Sequence, residues 1–151
     1  MPTISNGDNP NVLLVRILVV EDNEPFRQLI SSILGKRPEF QIIGEASDGL
    51  EAVHKAEVLH PDLILMDIGL PSLNGIEAAR RIGKLALKSK IVFLSQETSP
   101  DIVQAALSVG AMGYVAKANA ACDLLAAVKA AVQGNQFISA GLTGRILIDT
   151  N

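Results

Sequence analysis

Acidic side chains follow two apolar runs of this sequence at the point where each run ends. Residues 13–20 form an almost entirely apolar run that is followed by Glu21 and Asp22, and the apolar residues 63–66 are followed by Asp67. Such runs are typical of strands that are buried on both faces of a parallel sheet. Since ligands bind outside the carboxyl ends of these strands, the three carboxylates are candidates for one site.

Two further runs end at polar side chains of other types. Residues 90–95 end at Ser95, and residues 113–116 are followed at once by Lys117. Carboxylates that share a site repel one another by about 4 kcal/mol per pair at a separation of 4 Å and an effective dielectric constant near 20. A cation is therefore expected among them, and Mg²⁺ suits hard oxygen ligands.

An aspartate beside Mg²⁺ and a lysine predicts phosphoryl transfer. The carboxylate of Asp67 could attack a phosphoryl donor and form an aspartyl phosphate. Mg²⁺ and the ammonium of Lys117 would stabilise the charge on the phosphoryl oxygens, which is the larger part of this catalysis. The hydroxyl of Ser95 could donate a hydrogen bond to a further phosphoryl oxygen.

The elements that must position these side chains alternate along the chain. Strands are predicted over residues 13–20, 40–44, 63–66, 90–95 and 113–116, and a helix with apolar residues at helical spacing follows each of them. Helix caps are predicted at Asn23, Asp48, Ser99 and Asn119. Five alternations with short connections predict an α/β sheet covered on both faces, and right-handed crossovers bring all carboxyl ends of the strands to one edge.

The composition narrows the class of protein. The chain of 151 residues fits one domain, and with no tryptophan and one tyrosine its core must be largely aliphatic. A net charge of −3 without a basic patch argues against a chain that binds nucleic acid by itself. Cys122 has no partner for an internal disulfide, which favours a reducing compartment, so we expect a cytoplasmic protein. No apolar run reaches the roughly 18 residues of a membrane span, so we expect no contact with the membrane.

The combined spacing of these residues resembles the receiver domain of bacterial two-component response regulators. The resemblance rests on the acidic pair, on Asp67 with Pro71 and Gly75 four and eight residues later, on Ser95, and on Tyr114 with Lys117, and it covers roughly residues 16–133. Residues 110–139, GAMGYVAKANAACDLLAAVKAAVQGNQFIS, further resemble receivers of the NarL/FixJ (LuxR) type. The family fold would be a flavodoxin-like three-layer sandwich, with a five-stranded parallel sheet of order 2-1-3-4-5 and five helices.

The resemblance also implies a role for each acidic residue. Asp67 would accept a phosphoryl group from a sensor histidine kinase. Asp22 and Asp67 would bind Mg²⁺ directly, Glu21 would bind it directly or through water, and the carbonyl of Gly69 would complete the ligands from the protein. Such a domain is a switch rather than an enzyme, although it assists its own phosphorylation and dephosphorylation.

The switch itself is implied by the family. Ser95 would move toward the phosphoryl group, Tyr114 would move inward with it, and the face formed by the fourth helix, fifth strand and fifth helix would dock partners or form a homodimer. Receivers commonly carry a cis proline after the lysine, whereas Ala118 follows Lys117 here. The sequence leaves open a non-proline cis bond or a trans bond with a rearranged loop.

The expected organisation is a disordered leader over residues 1–12, a receiver domain over residues 13–134, and a linker or short helix over residues 135–151. The linker would lead to a helix-turn-helix domain outside this chain, through which alone the protein would bind DNA and regulate transcription.

One alternative is a stand-alone receiver that acts through protein partners. A metal-dependent phosphatase with an aspartate nucleophile is a second, although Gly69 stands where its general acid is expected. A flavodoxin-like nucleotide or flavin binder is a third, disfavoured by the lack of a phosphate loop and of stacking aromatic residues.

Overall fold

Apolar segments form a single parallel sheet in the computed structural model, which describes residues 13–85 and 88–142. The strands are β1 (Val15–Val20), β2 (Phe40–Ala46), β3 (Leu63–Asp67), β4 (Lys90–Ser95), β5 (Gly113–Ala116) and β6 (Phe137–Ile138). Their order across the sheet is β2-β1-β3-β4-β5-β6, and every neighbouring pair is parallel. The predicted α/β class and the order of the first five strands are confirmed.

The predicted number of elements was too small. The described residues contain six strands and, with one 3-10 helix (Lys117–Asn119), six helices, instead of five strands and five helices. Strand β6 has only two residues, Phe137 and Ile138, so it is too short to show the alternation that predicts a strand from sequence. It pairs with β5 because the chain turns back at Gly134, where φ is 83°, and the Phe137 N–H donates to the Met112 carbonyl at 3.0 Å.

Five α-helices cover the two faces of the sheet. They are α1 (Glu24–Leu34), α2 (Gly49–Leu59), α3 (Gly75–Lys84), α4 (Pro100–Ser108) and α5 (Ala120–Val132). Buried residues of α1 and α5 pack on one face, and those of α2, α3 and α4 pack on the other. The result is a three-layer arrangement in which both faces of the central strands are largely buried, as their almost entirely apolar sequences require.

Three of the four predicted helix caps are confirmed. The side chains of Asn23, Asp48 and Ser99 accept hydrogen bonds from backbone N–H groups in the first turns of α1, α2 and α4. The fourth cap, Asn119, was wrong because its side chain makes no capping bond to α5. Asn119 already belongs to the 3-10 helix, and its backbone (φ −106°, ψ 10°) lacks the extended conformation that an N-cap needs.

Two predicted segments extend past the described residues. The leader over residues 1–12 lies outside them, as do residues 143–151 of the predicted linker. Within residues 13–85 and 88–142, no helix is both long and apolar enough to span a bilayer.

Candidate functional site

The ends of β1 and β3 bring together the three acidic residues singled out in the sequence. Glu21, Asp22 and Asp67 each offer a carboxylate oxygen, and these oxygens lie within 4.8 Å of one another. Glu21 and Asp67 are buried, with 1% and 7% of their surface exposed, whereas Asp22 is exposed. Adjacent parallel strands place their carboxyl ends side by side, which explains why residues 45 positions apart in the chain meet.

Lys117 joins this cluster from the end of β5. Its Nζ lies 2.9 Å from Glu21 Oε1 and 3.2 Å from Asp67 Oδ2, and 4.7 Å from the centre of the Phe26 ring. Burial alone would lower the pKa of Lys117, but the carboxylates of Glu21 and Asp67 outweigh this effect and raise it. Burial, in turn, raises the pKa of Glu21 despite the hydrogen bond from Lys117. The lysine is therefore held as a cation between two carboxylates.

The loop after β3 holds the other oxygen of Asp67. Asp67 Oδ1 accepts a hydrogen bond from the Gly69 N–H at 3.2 Å, and the Gly75 N–H donates to the Ile68 carbonyl at 2.8 Å. A Cβ atom on Gly75 would lie 2.1 Å from the Asp67 carbonyl oxygen, so a side chain there would push α3 away from the strand end. Glycine at this position is thus required by the close approach of α3 to Asp67.

Ser95 and Tyr114 are linked through the backbone of Glu97. Ser95 is buried, and its Oγ accepts a hydrogen bond from the Glu97 N–H at 3.0 Å. Tyr114 is fully buried, and its hydroxyl donates to the Glu97 carbonyl at 2.7 Å. Burial is the main reason that the pKa of Tyr114 is raised, and the charges of Glu97 and Asp67 act in the same direction. The two residues predicted to form a switch therefore contact the same peptide segment after β4.

A cleft of about 430 Å³ opens beside Lys117. Three loops form it, and its lining includes Asn23, Phe26, Ser95, Gln96, Lys117 and Ala118. The cleft gives a small molecule or a partner's side chain a route to the ammonium of Lys117 and the hydroxyl of Ser95.

The geometry after Lys117 decides between the two predicted forms of the loop. Every peptide bond in the described residues is trans, and the bond to Ala118 lies in the 3-10 helix. The rearranged loop with a trans bond is therefore the form that this chain adopts.

Two contributors to the site were missed in the sequence. Phe26 contacts the ammonium of Lys117, although an apolar residue at helical spacing in α1 indicates by itself only a place in the core. The Arg27 guanidinium donates to the Glu21 carbonyl at 2.8 Å. Both residues lie in the first turns of a helix that begins directly after the acidic pair, and this position is the signal that could have identified them.

The amino-acid sequence of this chain is similar to those of known response regulators. Residues 17–129 match the family model described as "Response regulator receiver domain". The chain is 34% identical over 134 residues to the transcriptional regulatory protein LiaR of Bacillus subtilis, covering 89% of this chain and 64% of LiaR. It is 35% identical over 127 residues to the nitrate/nitrite response regulator protein NarL of Escherichia coli K12, covering 84% of this chain and 59% of NarL. This chain thus spans less than two thirds of the length of these relatives.

Solved structures similar to this chain are also response regulators or their receiver domains. A two-component response regulator of the LuxR family from Aurantimonas sp. superposes with a TM-score of 0.86 at 28% identity, covering 91% of this chain and 98% of that one. The signal receiver domain of the putative response regulator NarL from Mycobacterium tuberculosis gives a TM-score of 0.77 at 28% identity, covering 81% of this chain and 98% of that one. The overall α/β fold described above is therefore shared with these structures.

Proposed function

The chain belongs to the response regulator receiver family, and on this premise we propose that Asp67 is its phosphoryl acceptor and that phosphorylation of Asp67 is the signal it transmits. It is a receiver domain of the kind found in NarL- and LuxR-type two-component response regulators. Receiver domains of NarL-type regulators are not enzymes, which disfavours a phosphatase, and the match of residues 17–129 to the receiver family likewise disfavours a nucleotide or flavin binder.

One observation supports the role of Asp67 most directly. Its carboxylate lies at the cluster of three acidic groups and also contacts the ammonium of Lys117 at 3.2 Å. Lys117 provides a positive charge where negative charge would develop on a transferred phosphoryl group. Asp67 keeps 7% of its surface exposed, and Lys117, which it contacts, lines the cleft, so a phosphoryl donor could reach it.

The charges of the site fit Mg²⁺. Glu21, Asp22 and Asp67 carry three negative charges as carboxylates, and Lys117 supplies only one positive charge to offset them. Asp22 and Asp67 would hold the ion, with Glu21 binding directly or through water and the Gly69 carbonyl as the remaining ligand from the protein. When bound, Mg²⁺ would supply positive charge to the phosphoryl oxygens.

The residues of this chain would then act as follows. An oxygen of Asp67 forms a bond to phosphorus while the bond from phosphorus to the leaving group of the donor breaks. With a phosphohistidine of a sensor kinase as donor, the leaving group is the imidazole nitrogen, which takes up a proton. Lys117 stabilises the phosphoryl oxygens, and the Ser95 hydroxyl, which accepts from the Glu97 N–H here, donates its proton to a phosphoryl oxygen.

The transmitted change would pass through Glu97. If Ser95 turns toward the phosphoryl group, the Glu97 N–H loses its acceptor, and the Glu97 carbonyl is the group that Tyr114 binds. The α4, β5 and α5 face would read this change by docking a partner or forming a homodimer. Because the relatives are longer and LiaR is named a transcriptional regulatory protein, an output domain that binds DNA is proposed for the whole protein.

Mass spectrometry of the intact protein tests this function. After incubation with acetyl phosphate and Mg²⁺, the chain should gain the mass of one phosphoryl group, and hydroxylamine should remove it because an acyl phosphate is labile to this nucleophile. Asp67→Asn should gain nothing, whereas the control Asp101→Asn, an exposed aspartate in the first turn of α4, should behave as wild type. An equal mass gain in Asp67→Asn, or none in wild type, would refute the proposal.

A further inference from the structure

A buried serine attaches the segment after α5 to the strand that carries Tyr114 and leads to Lys117. Ser139 has no exposed surface and directly follows β6. Its Oγ accepts a hydrogen bond from the Ala116 N–H at 3.0 Å and donates one to Asp123 Oδ2 in α5 at 2.9 Å. The hydroxyl thus connects β5 and α5 from inside the protein.

The backbone of Ser139 extends this connection in both directions. Its N–H donates to the Tyr114 carbonyl at 3.0 Å, and its carbonyl accepts from the Leu142 N–H at 2.9 Å, where a helical turn begins. The Leu142 side chain is buried in the same cluster of apolar residues as Tyr114. Residues 137–142 are therefore attached to β5 by backbone bonds, by one buried hydroxyl and by apolar packing.

Ser139 contacts two residues of β5 that lie next to functional groups of the proposed site. Tyr114 supplies the hydroxyl that binds Glu97, and Ala116 directly precedes Lys117. Nothing in the transfer of a phosphoryl group to Asp67 requires Ser139 itself. A serine without exposed surface needs partners for its hydroxyl, since burying an unpaired hydroxyl is unfavourable.

We propose that Ser139 is a positioning residue for the phosphoryl site, and that through it the occupancy of the site controls how firmly residues 137–142 are held on β5. This inference rests on the proposed function. With Ser139 bound to β5 as seen here, Lys117 lies 3.2 Å from Asp67 and Tyr114 is buried, so the ammonium that would stabilise a phosphoryl group is already close to the proposed acceptor. Coupling between two sites is reciprocal. A ligand that favours this arrangement should therefore hold residues 137–142 more firmly on β5, and loosening these residues should lower the affinity for the ligand.

Beryllofluoride, a mimic of the phosphoryl group, gives the first test when its binding with Mg²⁺ is followed by fluorine NMR. Ser139→Ala should weaken beryllofluoride binding about fivefold to tenfold, the effect of losing roughly one net hydrogen bond. Its affinity for Mg²⁺ alone should stay within about twofold, because the proposed ligands lie after β1 and β3 and not on β5. The control Ser108→Ala, whose exposed hydroxyl bonds only locally to Ala105, should match wild type in both measurements.

A second pair of variants separates positioning from a general loss of stability. Asp123→Asn keeps an oxygen that can accept the hydrogen bond from the Ser139 hydroxyl, so this variant should bind beryllofluoride like wild type. Asp123→Ala lacks this oxygen, so its affinity for beryllofluoride should fall as it does in Ser139→Ala. Hydrogen exchange at the Ser139 and Leu142 amides should slow in wild type when beryllofluoride binds, and this slowing should disappear in Ser139→Ala. If Ser139→Ala does not fold, the Asp123 pair and the exchange in wild type still decide the question.

Two results would overturn the inference. In one, Ser139→Ala binds beryllofluoride as tightly as wild type. In the other, it loses Mg²⁺ and beryllofluoride affinity to the same extent, which is the behaviour of a merely destabilised protein. A wild-type protein that neither binds beryllofluoride nor gains a phosphoryl group would instead contradict the proposed function, so the two failures are distinct.

Discussion

Lys117 Nζ lies 3.2 Å from Asp67 Oδ2, although fifty residues separate the two in the chain. The contact crosses β4, which lies between β3 and β5 in the sheet. It is possible because Lys117 follows β5 directly and its long side chain reaches back over the ends of the strands to Glu21, at the end of β1. The ammonium is thus the cation around which the acidic groups of this site are arranged.

Removing this cation should destabilise the protein. In Lys117→Met, the buried carboxylate of Glu21 loses its partner and still faces Asp67, so the free energy of unfolding in urea without Mg²⁺ should fall by about 3 kcal/mol. The double variant Glu21→Gln with Lys117→Met should recover more than half of this loss, because the buried charge of Glu21 is then absent and Asp67 still accepts the Gly69 N–H. The control Lys129→Met, at an exposed position of α5, should stay within about 0.5 kcal/mol of wild type. An equally unstable double variant would show that the pairing with Glu21 is unimportant.

Removing an exposed acidic group should have the opposite effect on stability. Asp22 lies within 4.8 Å of the carboxylates of Glu21 and Asp67, so Asp22→Asn should raise the free energy of unfolding without Mg²⁺ by about 1 kcal/mol through relief of repulsion. The same variant should bind Mg²⁺ at least about tenfold more weakly, as one of few charged ligands is lost. Thermal unfolding over a range of Mg²⁺ concentrations measures both effects. A variant that is less stable without the ion, or as responsive to Mg²⁺ as wild type, would contradict this assignment.

Two glycines of α3 should respond in opposite ways to the same substitution. Gly75→Ala places a Cβ 2.1 Å from the Asp67 carbonyl oxygen and should cost about 2 kcal/mol or more, as overpacking against backbone cannot be relieved by a side-chain rotation. Gly83→Ala meets no atom within 4 Å and should stabilise the helix by about 0.5 kcal/mol. Urea unfolding of both variants, with phosphorylation of Asp67 as a second measurement, tests the close approach. Equal stability of the two variants would exclude it.

The phenol of Tyr114 should titrate at higher pH in the folded protein than in the unfolded chain. Burial and the nearby charges of Glu97 and Asp67 raise its pKa, so above the ordinary value of about 10 the folded state retains a proton that the unfolded chain has lost. The free energy of unfolding should consequently fall as the pH rises through this range. Tyr114→Phe should lose this part of the pH dependence and, with it, about 1 kcal/mol from the hydrogen bond to Glu97.

The absorbance of tyrosinate measures this titration without interference, since the chain has one tyrosine and no tryptophan. The native protein and the protein in denaturant should give clearly separated curves. Coincident curves would mean that the Tyr114 hydroxyl is not held in the buried position described here.

Much of the fold and the kinds of residue in the site were predictable from local patterns. The apolar runs predicted five of the six strands, and the residues after them, Asp67 and Lys117 among them, could be assigned to one edge from the rules for parallel sheets. The family resemblance in these residues predicted the strand order. The two-residue β6 and the 3-10 helix were missed, since both are shorter than the period over which a pattern can be recognised.

The sequence by itself determined which chemical groups stand at the ends of the strands, because the alternation of apolar runs and polar residues is a local property. Only the tertiary structure decided which of them meet: Lys117 with Glu21 and Asp67, Tyr114 with the Glu97 carbonyl, and Ser139 with Ala116 and Asp123. These contacts depend on the register of the strands and on the packing of the helices against both faces of the sheet. Distances between residues far apart in the chain are set by that packing and cannot be derived from spacing along it.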